Sequence, residues 1–355
     1  MADGKPTAGH VVEEDLDRIG ADALSALEEL AGKVVLVTGA AGFLMSYVVD
    51  ALVHSNGELA EPCRVIAADN AIVSDWQRLS HLDGRSDVVL VDADVAEGVP
   101  SDEHFDYIVH GASIASPSLY RRYPLETIDV NVMGTRRLLE LARERGARFL
   151  LLSSSEVYGD PPPDRIPTTE DYWGNVSPIG PRAPYDESKR LAETLCTTFH
   201  RQFGTPAVIV RPFNVYGPRL GLEDGRVMPD FLRDAVAGEQ VALLSDGSPT
   251  RSFCYVSDFV TGLLLLLVGG SAGEPYNVGN DEEVTIRELA ELVAELAESP
   301  GVRYSESMDR DYLTDNPSRR CPDLRKTKAT IPWAPKVSLR EGLARTLAHY
   351  RGDGR

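Results

Sequence analysis

Cysteine is scarce in this chain, and its four copies are scattered. Cys63, Cys196, Cys254 and Cys321 show no Cys-x-x-Cys spacing, and the seven histidines show no paired ligand spacing. That pattern speaks against a metal site and for reduced thiols in a cytoplasmic protein. Positive charge is short as well. Lys and Arg number 36 against 55 Asp and Glu, a net charge of -19, which argues against nucleic acid or an anionic membrane as a general partner. Any anionic ligand must therefore be held by a local cluster of arginines. Long hydrophobic runs are missing: Leu263 to Val268 is far too short to span a bilayer. It follows Ser257-Asp258, a plausible helix cap, and reads as a buried helix. The N-terminus is polar and acidic, without the basic start and apolar run of a secretory signal. Repeats and low-complexity tracts are absent too. What remains is a chain of 355 residues with ordinary globular composition, long enough for one large or two interleaved domains.

Along the chain, residues 1 to about 10 read as disordered. Val12, Leu16, Ile19, Leu24, Leu27 and Leu30 then have helical spacing, an amphipathic extension over 11–30. From Val34 the pattern changes to short apolar runs separated by helical stretches. The runs are 34–37, 65–68, 88–91, 107–109, 149–152 and 208–210; the main helical stretches are 125–145 and 184–203. Such alternation predicts an α/β fold, a doubly wound parallel sheet with helices on both faces. After Arg211 the rhythm breaks into shorter elements rich in Gly and Pro, with a last helix near 338–350. The expected organisation is an extension over 1–31, a dinucleotide-binding domain over 32–210 and a mainly substrate-binding α/β domain over 211–355, interleaved with the first.

The run 34–37 is closed by Thr38-Gly39-Ala-Ala-Gly42 and followed by a helix. Glycines there let the backbone approach a pyrophosphate, and the helix N-terminus supplies N–H donors and a positive dipole. Asp69, at the end of the second run, is placed to bind the adenosine ribose hydroxyls, which favours NAD over NADP because a 2′-phosphate would be repelled. A plain strand–helix turn is the alternative. Met45 stands where a third glycine would allow close helix–strand packing. Either the helix stands off the sheet or Met fills a gap left by smaller neighbours.

Tyr185 and Lys189 lie four apart in a helical stretch, on one face and within reach of each other. A free tyrosine titrates near ~10 and is a poor base at neutral pH. A neighbouring ammonium favours the phenolate and makes the phenol a better proton acceptor. An amphipathic helix that happens to carry both is the plainer reading of the pair alone.

Taken together, the motifs resemble the extended short-chain dehydrogenase/reductase family of nucleotide-sugar epimerases, dehydratases and decarboxylases, over about residues 33–350. The ordered set is Thr38-Gly39-Ala-Ala-Gly42-Phe43, Asp94-Val95, His110-Gly111-Ala112-Ser113, Asn131-Val-Met-Gly134-Thr135 and Ser153-Ser-Ser-Glu156-Val-Tyr158-Gly159. Tyr185-x-x-x-Lys189, Arg211-Pro-Phe-Asn214-Val-Tyr-Gly217-Pro and Arg251-Ser-Phe-Cys-Tyr-Val-Ser-Asp258 complete it. Three stretches are similar to the UDP-glucuronate decarboxylase branch: Tyr172 to Arg182, Gly225-Arg226-Val227, and Pro317-Ser-Arg-Arg320-Cys-Pro322-Asp323. Ser188 and Pro184 depart from that branch, which favours Gly and Cys there.

The resemblance implies NAD as cofactor, held by Gly39, Ala41, Gly42, Phe43, Leu44, Asp69, Asn70, Asp94, Val95, Gly111, Ala112, Ser113, Asn131, Ser153, Tyr185, Lys189 and Pro212. It implies a nucleotide sugar, with a UDP-sugar first, on Ser116, Glu156, Asn214, Arg219, Arg226, Val227, Arg251 and Arg320. Tyr185 would take the proton of the sugar 4-hydroxyl as hydride leaves C4, with Lys189 lowering its pKa and Ser154 or Ser155 orienting the hydroxyl. The 4-ketone then makes a uronic acid a β-keto acid, which loses carbon dioxide readily. Glu156 separates the branches. Dehydratases carry an Asp before it as the acid for the departing 6-hydroxyl, where this chain has Ser155. A loop-capping role is the alternative for Glu156, and a solvated surface role for each arginine singly. Arg320 would hold the uronate carboxylate or the phosphates, Arg226 and Arg251 the diphosphate and uridine side, and Asn214 a phosphate oxygen. Tyr158 is expected to pack and His110 to be structural. The family also implies a homodimer through the helices near 120–145 and 184–203. A 4,6-dehydratase or 4-epimerase on another nucleotide sugar, or a non-catalytic NAD-binding protein, are the competing readings; an intact Tyr185, Lys189 and Glu156 argue against the last.

Overall fold

The apolar runs form seven strands: β1 (Val34–Thr38), β2 (Arg64–Asp69), β3 (Val88–Asp92), β4 (Tyr107–His110), β5 (Arg148–Leu152), β6 (Ala207–Pro212) and β7 (Pro275–Val278). They were located in a computed structural model that describes residues 8–100, 103–305 and 317–352. The strands make one parallel sheet in the order β7-β6-β5-β4-β1-β2-β3. The central strands are apolar throughout because helices cover both faces, so neither side of the sheet can be polar. Helix Phe43–Ser55 and the buried helix Val256–Gly269 cover one face. On the other face, Leu138, Leu139, Ala192 and Cys196 pack from helices Thr135–Arg145 and Ala183–Phe203. This is the doubly wound α/β arrangement expected.

Strand order reverses between β3 and β4. The chain leaves the sheet edge at β3 and re-enters beside β1, so the loops after β1 and β4 diverge and open a crevice at the strands' carboxyl ends. Among the described residues, three smaller sheets lie beyond it. In one, strand Thr250–Ser252 pairs with Glu283–Thr285 and with Arg319–Arg320, in a register that sets Arg251 beside Arg320. Residues 256–278 return to the main sheet as a helix and β7, and the last helix is Leu339–Gly352.

Three local expectations need correction. Helix begins at Ala8, so the disorder anticipated to about residue 10 is not seen at 8–10; residues 1–7 lie outside the described residues. The extension is two helices, Ala8–Asp22 and Leu24–Leu30, broken at Ala23. Ser257-Asp258 does not cap the apolar helix, which starts at Val256 after Tyr255. The Asp258 carboxylate instead accepts the N–H groups of Lys336 and Val337, both at 2.9 Å, and pins that segment to the helix. The extension is anchored by Asp15, which is buried and accepts from Tyr255 (2.8 Å) and Arg345 (2.7 Å).

Candidate active site

At the crevice, Gly39 adopts φ +73°, and a Cβ there would lie 2.6 Å from the Ala112 backbone nitrogen. Only glycine fits this approach of the loop after β1 to the end of β4. Gly42 caps the helix Phe43–Ser55, whose free N–H groups face the crevice. Asp69 ends β2 and accepts the N–H groups of Ala41 (3.0 Å) and Ala71 (2.8 Å). Burial raises its carboxyl above the ordinary range, and those N–H groups pull it back. Met45 fills a gap, as one of the two readings had it. Its Cγ and Sδ occupy the space a Gly111 side chain would take, at 2.3 and 2.4 Å from the Cβ position.

The cavity has a volume of about 1130 Å³. That exceeds the ~300–1000 Å³ of a site for one drug-sized ligand, leaving room for a dinucleotide and a second molecule. Gly39, Gly42, Phe43, Leu44, Asp69, Asn70, Asp94, Val95, Gly111, Ala112 and Ser113 line one end. Ser153, Ser154, Ser155, Glu156, Tyr185, Lys189 and Pro212 line the middle, and Ser116, Asn214, Arg226, Val227, Arg251 and Arg320 line the rest. Ala41, Asn131 and Arg219 do not line it. The Ala41 N–H is taken by Asp69 and its carbonyl by Arg78 (3.1 Å). Asn131 lies buried in a π-turn, Val130–Gly134, where its amide donates to Ser188 Oγ (2.9 Å). That bond gives Ser188, the departure from the decarboxylase branch, a structural use. Arg219 turns away to pair with Asp50 over the ring of Tyr47, behind the glycine-loop helix.

Tyr185 is buried near the Ser154 hydroxyl, and its ring stacks on Tyr120 at 5.4 Å and 12°. Burial pushes the phenol up to about 12, with Ser154 pulling the other way. Burial thus outweighs the lowering expected from Lys189. Lys189 Nζ donates to the Leu152 carbonyl (2.8 Å), 5.9 Å from the Tyr185 ring centre, and burial pushes it down to about 7. His110 is buried between Thr38 (2.8 Å) and Thr135 (3.1 Å), and burial lowers it to about 3, which keeps the ring neutral.

Glu156 sits on the short turn Ser155–Tyr158, with its backbone N–H capped by Ser154 Oγ (3.1 Å). Burial alone would raise its pKa. Two guanidiniums outweigh that: Arg182 Nη2 is 2.5 Å from one carboxylate oxygen and Arg320 Nη1 binds the other. They hold Glu156 well below the usual carboxylate range. Arg320 also donates to Gly159 O (3.1 Å), and Arg182 faces Asp186 at 3.6 Å. Burial, then the charge of Glu156, drives Asp186 upward. For Arg251, burial lowers the guanidinium to about 10, helped by Arg320. Arg182, Tyr120 and Arg78 are cavity residues that sequence reasoning left out. For Arg182 the available signal was its place three residues before Tyr185; nothing local announces the other two.

A buried polar chain underlies the site. Ser153 Oγ donates to Glu193 (2.6 Å), and Arg211 clamps Glu193 (2.8 and 2.6 Å) and donates to Tyr158 Oη (2.7 Å). Tyr158 donates to Asn277 Oδ1 (2.7 Å), and Asn277 Nδ2 donates to the carbonyls of Thr168 (2.9 Å) and Asp323 (3.2 Å). Tyr158 thus packs and bonds within the wall.

A dinucleotide fits the first end of the cavity. The Gly39 cradle, which a Cβ would fill, the helix N-terminus and the Asp69 carboxylate are suited to a pyrophosphate and a ribose. The sequence model of the NAD dependent epimerase/dehydratase family matches residues 35–279. UDP-glucuronic acid decarboxylase 6 of Arabidopsis thaliana is 47% identical over 309 residues, 87% of this chain and 86% of that protein. UDP-glucuronic acid decarboxylase 1 of Xenopus tropicalis is 41% identical over 327 residues, 92% of this chain and 74% of that protein. Among solved structures, an epimerase of Methanothermobacter thermautotrophicus superposes with TM-score 0.80 at 29% identity, covering 94% of this chain and 96% of that one. A dTDP-glucose 4,6-dehydratase of Streptomyces venezuelae with NAD and TYD bound gives TM-score 0.77 at 29% identity, covering 90% and 97%.

Proposed function

The chain belongs to the NAD dependent epimerase/dehydratase family, and from that premise we propose that it converts UDP-glucuronate to UDP-xylose by oxidation, decarboxylation and reduction. The relatives at 41–47% identity support the choice by name. The observation that carries it is Glu156, held ionised by Arg182 and Arg320 beside Tyr185. A carboxylate kept charged at neutral pH cannot donate the proton that dehydration of a 6-hydroxyl demands, and its neighbour Ser155 is no acid either.

Tyr185 accepts the proton of the sugar 4-hydroxyl in its phenolate form, which the Lys189 ammonium and the cationic ring of bound NAD would favour against burial, and the neighbouring Ser154 hydroxyl orients that 4-hydroxyl. NAD, when bound, supplies the hydride acceptor that makes C4 a ketone and the donor that restores it. The loop 39–42 and the following helix N-terminus would hold its pyrophosphate, Asp69 its adenosine ribose, and Lys189 the ribose at the reacting end. With a ketone at C4 the C5–C6 bond breaks, its electron pair passes into an enolate, carbon dioxide leaves and C5 takes up a proton. Ser116, Asn214, Arg226, Val227 and Arg251, mostly beyond Arg211 in sequence, form the wall for the uridine diphosphate, and this later region acts mainly as the substrate domain.

The protein works as a homodimer. Leu125 (70% exposed), Met133 (43%) and Leu191 (46%), on the two helical stretches of the implied interface, support this. A cytosolic setting is supported by four free, buried thiols, and no helix among the described residues is long and apolar enough to cross a membrane.

Incubating the protein with UDP-glucuronate and catalytic NAD tests the reading. Release of carbon dioxide with a UDP-pentose is expected. Turnover of a dTDP- or UDP-hexose with no gas from the uronate would replace it with a dehydratase or epimerase.

A further inference from the structure

A uronate carboxylate is carried on C5, the neighbour of the carbon whose hydroxyl Tyr185 addresses. A sugar seated with its 4-hydroxyl on Tyr185 therefore brings its carboxylate to the wall beside that phenol. Arg182 is on that wall. It precedes Tyr185 by three residues, so the two side chains rise from one side of the helix start. Its side chain is 14% exposed and lines the cavity, with Nη2 2.5 Å from Glu156 Oε2. Its Nε, 3.6 Å from Asp186, has no hydrogen-bond acceptor among the described residues. Arg320, whose Nε likewise has no acceptor among the described residues, is more enclosed, at 5% exposure, and is tied to the Gly159 carbonyl as well as to Glu156. Arg182 and Arg320 thus meet at Glu156, Arg251 lies beside Arg320 across the strand pair, and burial favours the neutral form of Asp186. In a chain of net charge -19 this is a local excess of cation, which an incoming anion would neutralise.

We propose that Arg182 is the residue that recognises the substrate's carboxylate: the uronate takes the place of Glu156 on the Arg182 guanidinium, while Arg320 keeps Glu156 in position. The proposal rests on the decarboxylase reading. One anion is exchanged for another at a planar fork suited to carboxylates, so the exchange leaves no buried charge unpaired. A sugar without that carboxylate leaves the Arg182–Glu156 pair closed, and the product pentose is such a sugar. Arg182 therefore sets specificity at binding and lets the pair re-form once carbon dioxide has gone.

The test uses NAD-loaded Tyr185→Phe protein, which binds without turnover, with and without Arg182→Gln or Arg182→Lys. Calorimetry gives Kd for UDP-glucuronate and for UDP-glucose, which is uncharged at C6. Arg182→Gln should weaken UDP-glucuronate about tenfold or more, the scale of a lost charge-assisted bond, and leave UDP-glucose within about threefold. Arg182→Lys should recover part of the loss, and UDP-glucose affinity itself reports that the variants are folded. Equal weakening of both ligands, or no weakening of UDP-glucuronate, would overturn the proposal. If the enzyme with Tyr185 and Arg182 intact releases carbon dioxide from UDP-glucuronate, that failure touches Arg182 alone. If it neither releases the gas nor prefers the uronate, the decarboxylase reading falls with it.

Discussion

Glu156 has two oxygens and a different cation on each, so its charge does not depend on either partner alone. Glu156→Gln removes the charge and keeps one acceptor. Arg182 and Arg320 would then face an amide, and the wall that receives the carboxylate would become more positive. Stronger binding of an ionised carboxylate stabilises the state before carbon dioxide leaves, which slows its departure. Oxidation at C4 should persist while gas release falls about 10²-fold, followed as bound NADH and carbon dioxide in a single turnover. Unchanged rates for both would leave Glu156 with a loop-capping role only. The pairing of Tyr185 with Lys189 was legible because helix geometry follows from spacing. The phenol's rise to about 12 was not, because it comes from burial, under walls such as Tyr120 that are distant in sequence. Arg182 escaped notice for a similar reason: its partner Glu156 arrives from another loop.

Among the elements, the strand–loop–helix unit of residues 34–55 was readable almost to the residue, since an apolar run, two glycines and a helical pattern follow one another. Met45 was the exception to the usual glycine spacing, and its explanation lies across the crevice in Gly111. A Gly111→Ala change would place a methyl against Met45 Cγ and Sδ and the Thr38 carbonyl. Overpacking of this kind costs about 1–3 kcal/mol. Thermal unfolding should therefore occur at lower temperature in Gly111→Ala and recover in part when Met45→Ala is added. No recovery would mean that the backbone at Thr38, not the methionine, limits the space. The π-turn at Val130–Gly134 was beyond sequence reading, because what accompanies it, the bond from Asn131 to Ser188, joins two helices.

For the whole molecule, the alternation of strands and helices announced the parallel sheet but not where its order reverses, and the reversal is what makes the crevice. The return of residues 256–278 to the sheet was equally hidden, since the apolar helix could have been buried anywhere. The exposed Leu125, Ile128, Met133 and Leu191 bear on assembly. Sedimentation should give twice the chain mass for the native protein, and Leu125→Glu with Leu191→Glu should shift it to single chains. A native protein that sediments as one chain would remove the homodimer.

The buried links from Ser153 through Glu193, Arg211, Tyr158 and Asn277 to Asp323 connect the cofactor side of the cavity to the segment that bears Arg320. The bonds run from 2.6 to 3.2 Å and most are largely shielded from water, so the run behaves as a strut and not as a hinge. It therefore acts as a gauge. The distance between the group that oxidises and the groups that grip the acid is set by the protein, and a substrate is measured by length as well as by charge.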